Sequence, residues 1–412
     1  MLGSVSFRWL IIVAALGLAT AACSSSASSA TQSASSSTAP SSVPSTASTT
    51  ASAPTTVAPS SCVATVFASL TLPQKVGQLF ALGLANNRVG EGETGAIDEA
   101  HVGTLWFTQT TTAGVGAVRA VADAVQARAT RSATGGVRFF VAANQEGGEI
   151  QALGGGGFSR IPPATTQGTL DSATLERDAR NWGGELRSAG VNLDFAPVTD
   201  VVPAGTEAQN APIGQLRREF GSDPSVVAAH GRAFIRGMTA AGVLTTAKHF
   251  PGLGRVRGNT DDVAQVVDTV TTPDDPLLAS FRSAIGAGVP IVMVALATYT
   301  RIDPDHLAVY SPVVMQLLRV GMGFHGVIAS DDMGAAVAVA SIPPADRAIN
   351  FISAGGDLVV SKTVAPTEAM AAAVVARASS DTAFGGVVSD AVRRVLAAKD
   401  AAGLLPCSAS AG

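Results

Sequence analysis

The chain has 412 residues, of which 47% are hydrophobic and 14% charged, and its formal net charge is -4. That length is ample for one large core or two modest domains. The acidic balance, with no basic run, argues against a nucleic-acid partner, which needs a positively charged face.

The amino-terminal segment reads as an export signal. Arg8 is its charged side chain, and Trp9 to Ala22 is apolar and small, too short and too weakly flanked for a membrane span. Leu18-Ala19-Thr20-Ala21-Ala22-Cys23 resembles a bacterial lipoprotein signal. On that reading residues 1–22 are the signal and Cys23 carries lipid. The protein is then expected at the cell membrane, lipid-anchored on the extracytoplasmic face. An ordinary cleaved signal peptide is the alternative. Ser24 to Ser61 is almost wholly Ser, Thr, Ala and Pro, without a charge or an aromatic ring. Such a stretch cannot bury enough apolar surface to fold and is expected to be a disordered linker, spanning 23–61 with the lipidated Cys. As a flexible coil it would reach on the order of 35 Å. The two remaining cysteines, Cys62 and Cys407, bracket the folded domain at 62–407 and precede a short tail at 408–412. In an oxidising envelope the simplest arithmetic pairs them, with two free terminal thiols as the alternative.

After Cys62, short apolar runs alternate with amphipathic segments. The runs are Leu79 to Leu84, Gly103 to Phe107, Phe139 to Asn144, Val191 to Asp200, Leu244 to Phe250, Pro290 to Thr298, Gly326 to Asp332 and Asp357 to Ser361. They lack polar alternation, as strands buried on both faces do. Between them lie helix signals. Asp223-Pro224 and Ser311-Pro312 each pair a capping side chain with a first-turn Pro, and Leu175, Ala179, Trp182 and Leu186 form a helical stripe ended by Gly190. Eight βα repeats predict an α/β protein with a single closed (β/α)8 TIM barrel; a doubly wound open sheet is the structural alternative. Polar residues gather at the predicted strand ends: Asn144-Gln145-Glu146, Asp200, Lys248-His249 and Asp331-Asp332. A barrel would place all of them around one mouth.

Glycoside cleavage needs one group to protonate the leaving oxygen and another to meet the developing positive charge at carbon. Asp331 and Asp332 are adjacent on a predicted strand, so one of them is expected to face the mouth; both could equally be capping carboxylates. Lys248 and His249 are suited to sugar hydroxyls or to a structural salt bridge. Arg218, on the long loop after strand four, would by itself read as a solvated charge. Gly154 to Gly157 lacks the following Lys-Ser/Thr of a phosphate cradle and reads as a flexible loop. No His or Cys cluster has metal spacing, so neither a metal nor another cofactor is expected.

Taken together, these motifs resemble glycoside hydrolase family 3, and within it the single-domain bacterial β-N-acetylglucosaminidases. The resemblance runs from about residue 66 to 400. It rests on Leu72 to Phe80, Gln145-Glu146-Gly147-Gly148, Phe195 to Val201, Arg218 to Pro224, Lys248 to Gly254, and Gly323-Phe324-His325-Gly326 through Ser330-Asp331-Asp332, in family order. It implies a retaining mechanism with Asp331 as the nucleophile. It also implies that Lys248, His249 and Arg218 hold the sugar, with Asn144 at a sugar-binding position. The expected substrate is a terminal β-linked N-acetylglucosamine of a cell-wall fragment.

The chain departs from the family at the proton donor. The family's Asp-Ser-His triplet is here Asn259-Thr260-Asp261. Asp261 becomes the candidate acid, with Asp262 and His306 behind it. Asn144 stands where the family has Asp, Ala152 where it has Arg, and Leu296 where it has His. Three other readings therefore stay open: a catalytically weak sugar-binding lipoprotein on the same fold, a β-glucosidase-type specificity, and a periplasmic solute-binding protein.

Overall fold

The computed structural model describes residues 60–407. The export signal, Cys23, most of the linker and the tail at 408–412 lie outside the described residues. Among the described residues, eight parallel strands close into a barrel. They are Phe80–Leu84, Thr104–Phe107, Phe140–Ala143, Leu193–Asp194, Leu244–Phe250, Ile291–Val294, Val327–Asp332 and Leu358–Ser361, here strands one to eight. Strand one closes the ring by pairing with strand two through Ala81↔Thr104 and with strand eight through Ala81↔Val360. The single-barrel prediction is borne out, and the open sheet is not.

Each predicted run contains a barrel strand because each is buried on both faces; strands one, two, three, six and eight are buried throughout. Two runs are longer than their strands. In Val191 to Asp200 only Leu193–Asp194 pairs regularly, because Pro197 has no N–H to donate to a neighbouring strand. In Pro290 to Thr298 the barrel strand ends at Val294. Thr298–Tyr299 then joins a separate small sheet with Val267–Asp268 and Asp303–Leu307 above the barrel.

The predicted helices form where their caps stand. Ser225 N donates to Asp223 Oδ1 at 2.8 Å to open Pro224–Ala240, and Val314 N donates to Ser311 Oγ at 3.1 Å to open Pro312–Gln316. The stripe Leu175, Ala179, Trp182 and Leu186 is the buried face of Ser172–Ser188. The glycine run 154–157 is not loose. Gly154 exchanges hydrogen bonds with the second βα loop, donating to Thr111 O at 2.8 Å and accepting from Gly114 N at 3.0 Å.

The last helix, Thr382–Ala401, returns to the floor of the barrel and packs against the first, Ser61–Ser69. Cys62 and Cys407 are joined there, with Cα atoms 5.7 Å apart. Closing so long a loop restricts the unfolded chain by on the order of 5 kcal/mol in the chain-entropy model, less any cost in the native state. None of the described helices is long and apolar enough to cross a membrane.

Candidate active site

The cavity lies at the carboxyl ends of the barrel strands and has a volume of about 490 Å³. All six predicted catalytic and sugar-binding residues line it: Asn144, Arg218, Lys248, His249, Asp261 and Asp331. Its inner wall includes Trp106 and Phe195, whose rings meet edge to face at 5.9 Å. Trp106 Nε1 donates to Ser361 O at 3.3 Å, which fixes the indole across the ends of strands two and eight.

One side of the cavity is built on Glu146, which the sequence reading quoted in a motif without a role. Arg218 grips it with two bonds, Nε to Oε2 at 2.8 Å and Nη2 to Oε1 at 2.7 Å. Lys248 Nζ lies 2.6 Å from the same Oε1 and donates to Asn144 Oδ1 at 2.8 Å. Arg218 is therefore not a solvated charge; its side chain is 13% exposed and Glu146 is 4% exposed. Burial by itself would raise the Glu146 carboxyl, but Arg218 and Lys248 outweigh it and hold the pKa at about 2. The result is a fixed ion triad whose cations border the cavity.

The loop carrying Glu146 is held from beneath. Gly147 has φ +106°, and a Cβ there would stand 2.4 Å from Pro162 O, so only glycine lets the chain turn so closely. Gln167 Nε2 donates to Glu146 O at 2.9 Å. Asp194 accepts from Gln145 N at 2.9 Å, and burial pushes its pKa up to about 7.

His249 is set by Asp200, the polar end of the fourth run. His249 Nδ1 is 2.7 Å from Asp200 Oδ2, and Oδ1 accepts from His249 N at 3.1 Å and Leu253 N at 2.9 Å. With Nδ1 committed to Asp200, Nε2 is the nitrogen left for a ligand. The pair is a charged salt bridge only if the ring is protonated; in either state the carboxylate orients the imidazole.

Asp331 and Asp332 both line the cavity, contrary to the expectation that one would. They divide by bonding. Asp332 Oδ1 accepts from Gly334 N at 2.8 Å, Lys362 N at 2.9 Å and Ala335 N at 3.3 Å, so it shapes the turn after strand seven. Asp331 accepts one backbone bond, from Asp332 N at 2.9 Å, through Oδ1. Asp331 Oδ2 has no such partner, which leaves Asp331 the less committed carboxylate of the two.

Asp261 stands exposed at the cavity rim. Partial enclosure, with Asp331 and Asp332 near it, pushes its pKa up to about 6. Asn259 does not support this carboxyl. Its Oδ1 accepts from Asp261 N at 3.3 Å and its Nδ2 donates to Asp262 Oδ2 at 3.0 Å. Asp262 also lines the cavity, whereas His306 does not; it is half exposed and 3.1 Å from Asp303. Ala152 and Leu296 are not part of the lining, and Leu296 is wholly buried.

On the loop bearing Asp261, a Cβ on Gly254 would lie 1.8 Å from Val201 O, so this glycine permits close packing. Thr260 O and Asp261 O accept from Ala338 N at 3.1 Å and Val337 N at 3.2 Å, which ties the loop to the one after strand seven. Among the described residues, no group of three or more His, Cys, Asp or Glu is arranged to hold a metal ion.

A barrel with a fixed cation pair, an oriented histidine and two carboxylates at its mouth is the frame of a carbohydrate-cleaving fold. The Glycosyl hydrolase family 3 N terminal domain matches residues 71–398, and the chain belongs to that family. It is 49% identical to the crystal structure of a beta-N-acetylhexosaminidase from Beutenbergia cavernae DSM 12333, with a TM-score of 0.78 over 80% of this chain and 98% of that one. It is 28% identical to a glycoside hydrolase family 3 beta-N-acetylglucosaminidase from Paenibacillus sp. str. FPU-7, with a TM-score of 0.74 over 83% of this chain and 65% of that one. A curated relative, the beta-hexosaminidase of Xylella fastidiosa strain 9a5c, is 36% identical over 258 residues, 60% of this chain and 74% of the relative. The same-named protein of strain M23 is 38% identical over 204 residues, 48% of this chain, and the match spans 58% of that relative's length.

Proposed function

We propose that the protein is a retaining exo-β-N-acetylglucosaminidase with Asp331 as nucleophile and Asp261 as acid and base. The observation that carries this reading is that Asp331, with one carboxylate oxygen unbonded, and Asp261, with its pKa pushed up to about 6, line one cavity together with Arg218 and Lys248 of the Glu146 triad. In the first step an Asp331 oxygen bonds to the anomeric carbon while Asp261 gives its proton to the departing glycosidic oxygen. In the second, Asp261 takes a proton from water, the water oxygen bonds to the anomeric carbon, and the Asp331 ester bond breaks. Arg218, Lys248, Asn144 and His249 Nε2 hold the sugar hydroxyls.

The names of the relatives support an N-acetylglucosaminide at this site, and cell-wall (peptidoglycan) fragments are the proposed source. Cys23 is the proposed lipid-bearing residue, placing the enzyme on the extracytoplasmic face of the membrane. Chromogenic N-acetylglucosaminide and glucoside substrates test the sugar preference. A fluorosugar that stalls the second step tests the nucleophile. The expected result is a covalent label on Asp331 and a loss of at least about 10⁴-fold in turnover for Asp331→Ala, with little change in melting temperature. A label on Asp332, or near-native turnover in the variant, overturns the assignment. Binding of the sugar without measurable hydrolysis would favour the weak, sugar-holding reading.

A further inference from the structure

A groove of about 370 Å³ at the floor of the barrel, at the opposite end from the cavity, collects three arginines. Arg119 stands on the helix Gly114–Gln126, Arg187 ends the helix Ser172–Ser188, and Arg138 lies just before strand three. Ala402, Gly403 and Leu404 form the facing wall. Arg119 pairs with Asp123 at 2.8 Å. Arg138 and Arg187 are exposed and have no carboxylate partner among the described residues. Three arginines against one lining carboxylate, Asp123, leave a surplus of two positive charges, in a chain whose net charge is -4.

The groove has a fixed frame. Arg138 N donates to Leu404 O at 2.9 Å, and Arg138 O accepts from Lys399 Nζ at 3.1 Å. Gly190, at φ +78°, brings the chain so close to Ala122 and Arg119 that a Cβ would stand 2.7 Å from Ala122 Cβ. The described domain also begins at this end. Ser60 Oγ donates to Asp400 Oδ2 at 2.6 Å, and Cys62 is bonded to Cys407, three residues beyond Leu404. Ser60, where the described residues begin, is thus tied to the same carboxyl-terminal segment that supplies the groove's facing wall.

We propose that this groove binds a phosphoryl oxyanion. Two guanidiniums lining one groove can each offer paired N–H donors to the oxygens of a phosphate monoester or diester, and neither has a carboxylate partner among the described residues. The attachment point favours the headgroups of an anionic lipid surface as the source. The proposal takes from the proposed function only the membrane-bound segment before Ser60. It is read by binding, so it can fail while the glycosidase assignment stands, and the reverse.

The experiment uses the full chain, with vesicles of phosphatidylcholine alone and of phosphatidylcholine mixed with phosphatidylglycerol. The apolar segment at the amino terminus contributes equally to both. The native chain should prefer the mixed vesicles by on the order of thirtyfold, for two arginines near the surface, and added salt should erode the preference. Arg138→Gln/Arg187→Gln should lose most of that preference while hydrolysing a chromogenic glycoside at the native rate; Arg187→Gln alone serves if the double variant folds poorly. In a parallel arm, millimolar inorganic phosphate, compared with chloride at equal ionic strength, should raise the melting temperature of the native chain and not of the variant. A phosphate effect without a vesicle preference identifies a soluble phosphate as the ligand. Equal binding to both vesicles together with no phosphate effect, or a variant that keeps both responses, overturns the proposal.

Discussion

The two ends of the barrel each bury a lysine, and they do so in opposite ways. At the mouth, Lys248 lies 2.6 Å from Glu146, which Arg218 also grips. At the floor, Lys399 is wholly buried and has only neutral acceptors: Gln78 Oε1 and Gly103 O at 2.7 Å and Arg138 O at 3.1 Å. Burial pulls Lys399 down to about 7, whereas the mouth cations hold Glu146 at about 2. The contrast shows what each end is for. A triad with opposite charges stays ionised and rigid, ready to order a ligand. An amine held by carbonyls ties three strand entrances to the last helix and tolerates losing its proton.

The largest effect is expected from breaking the triad. Glu146→Gln leaves two buried cations without a carboxylate and should cost about 3–5 kcal/mol in stability, with sugar binding lost as well. The pH dependence has a definite sign. The folded pKa of Glu146, about 2, is below its ordinary 4.5, so its stabilisation is complete above pH 4.5 and disappears as pH falls through about 2. Denaturant melts of native and variant protein should therefore differ most near neutrality and converge in strong acid. A constant difference across that range would mean the loss is one of packing.

Within the mouth, Asp261→Asn sharpens the assignment of roles. On a natural glycoside, whose leaving group needs a proton, turnover should fall by about 10²–10³-fold. On a substrate with a good leaving group the first step should change little. Native activity on the natural glycoside should decline above about pH 6, where Asp261 gives up its proton. Equal damage to both substrates would make Asp261 a positioning residue, and no damage would pass the role to Asp262.

The smallest effect belongs to the floor. Lys399→Met removes three hydrogen bonds and also a costly buried charge, so its net effect at pH 7 should be about 1–2 kcal/mol, with turnover unchanged. The slope is the sharper measurement. The folded pKa lies below the ordinary 10.5, so the native protein should gain stability relative to the variant as pH rises from about 7, by up to about 1.4 kcal/mol per pH unit, until the unfolded amine also loses its proton. Parallel stability–pH curves would show that Lys399 keeps its charge at the floor.

The strands were legible in the sequence because a doubly covered strand is apolar on both faces, as Ile291–Val294 is. Lys248, His249 and Asp331 were legible as polar residues at the ends of such runs. Glu146, Asp200 and Trp106 were not given roles, although all three were visible as residue types. Their importance comes from partners 72, 49 and 255 residues away in the chain. Local pattern carries no signal of such distances. The fates of Asp331 and Asp332 were likewise open, since their chemistry is identical and three backbone N–H groups decide between them.

The sequence by itself determined the βα repeat, the helix starts at Asp223 and Ser311, the family, and which end of the barrel holds the polar groups, because those follow from burial periodicity and capping chemistry at short range. Only the tertiary structure decided that Arg218 is paired and buried, that Asp332 is bound into a turn by three backbone N–H groups while Asp331 accepts one, that Asp261 and not His306 reaches the cavity, and that Arg119, Arg138 and Arg187 share a groove. These depend on electrostatic and hydrogen-bond partners that only chain closure brings together.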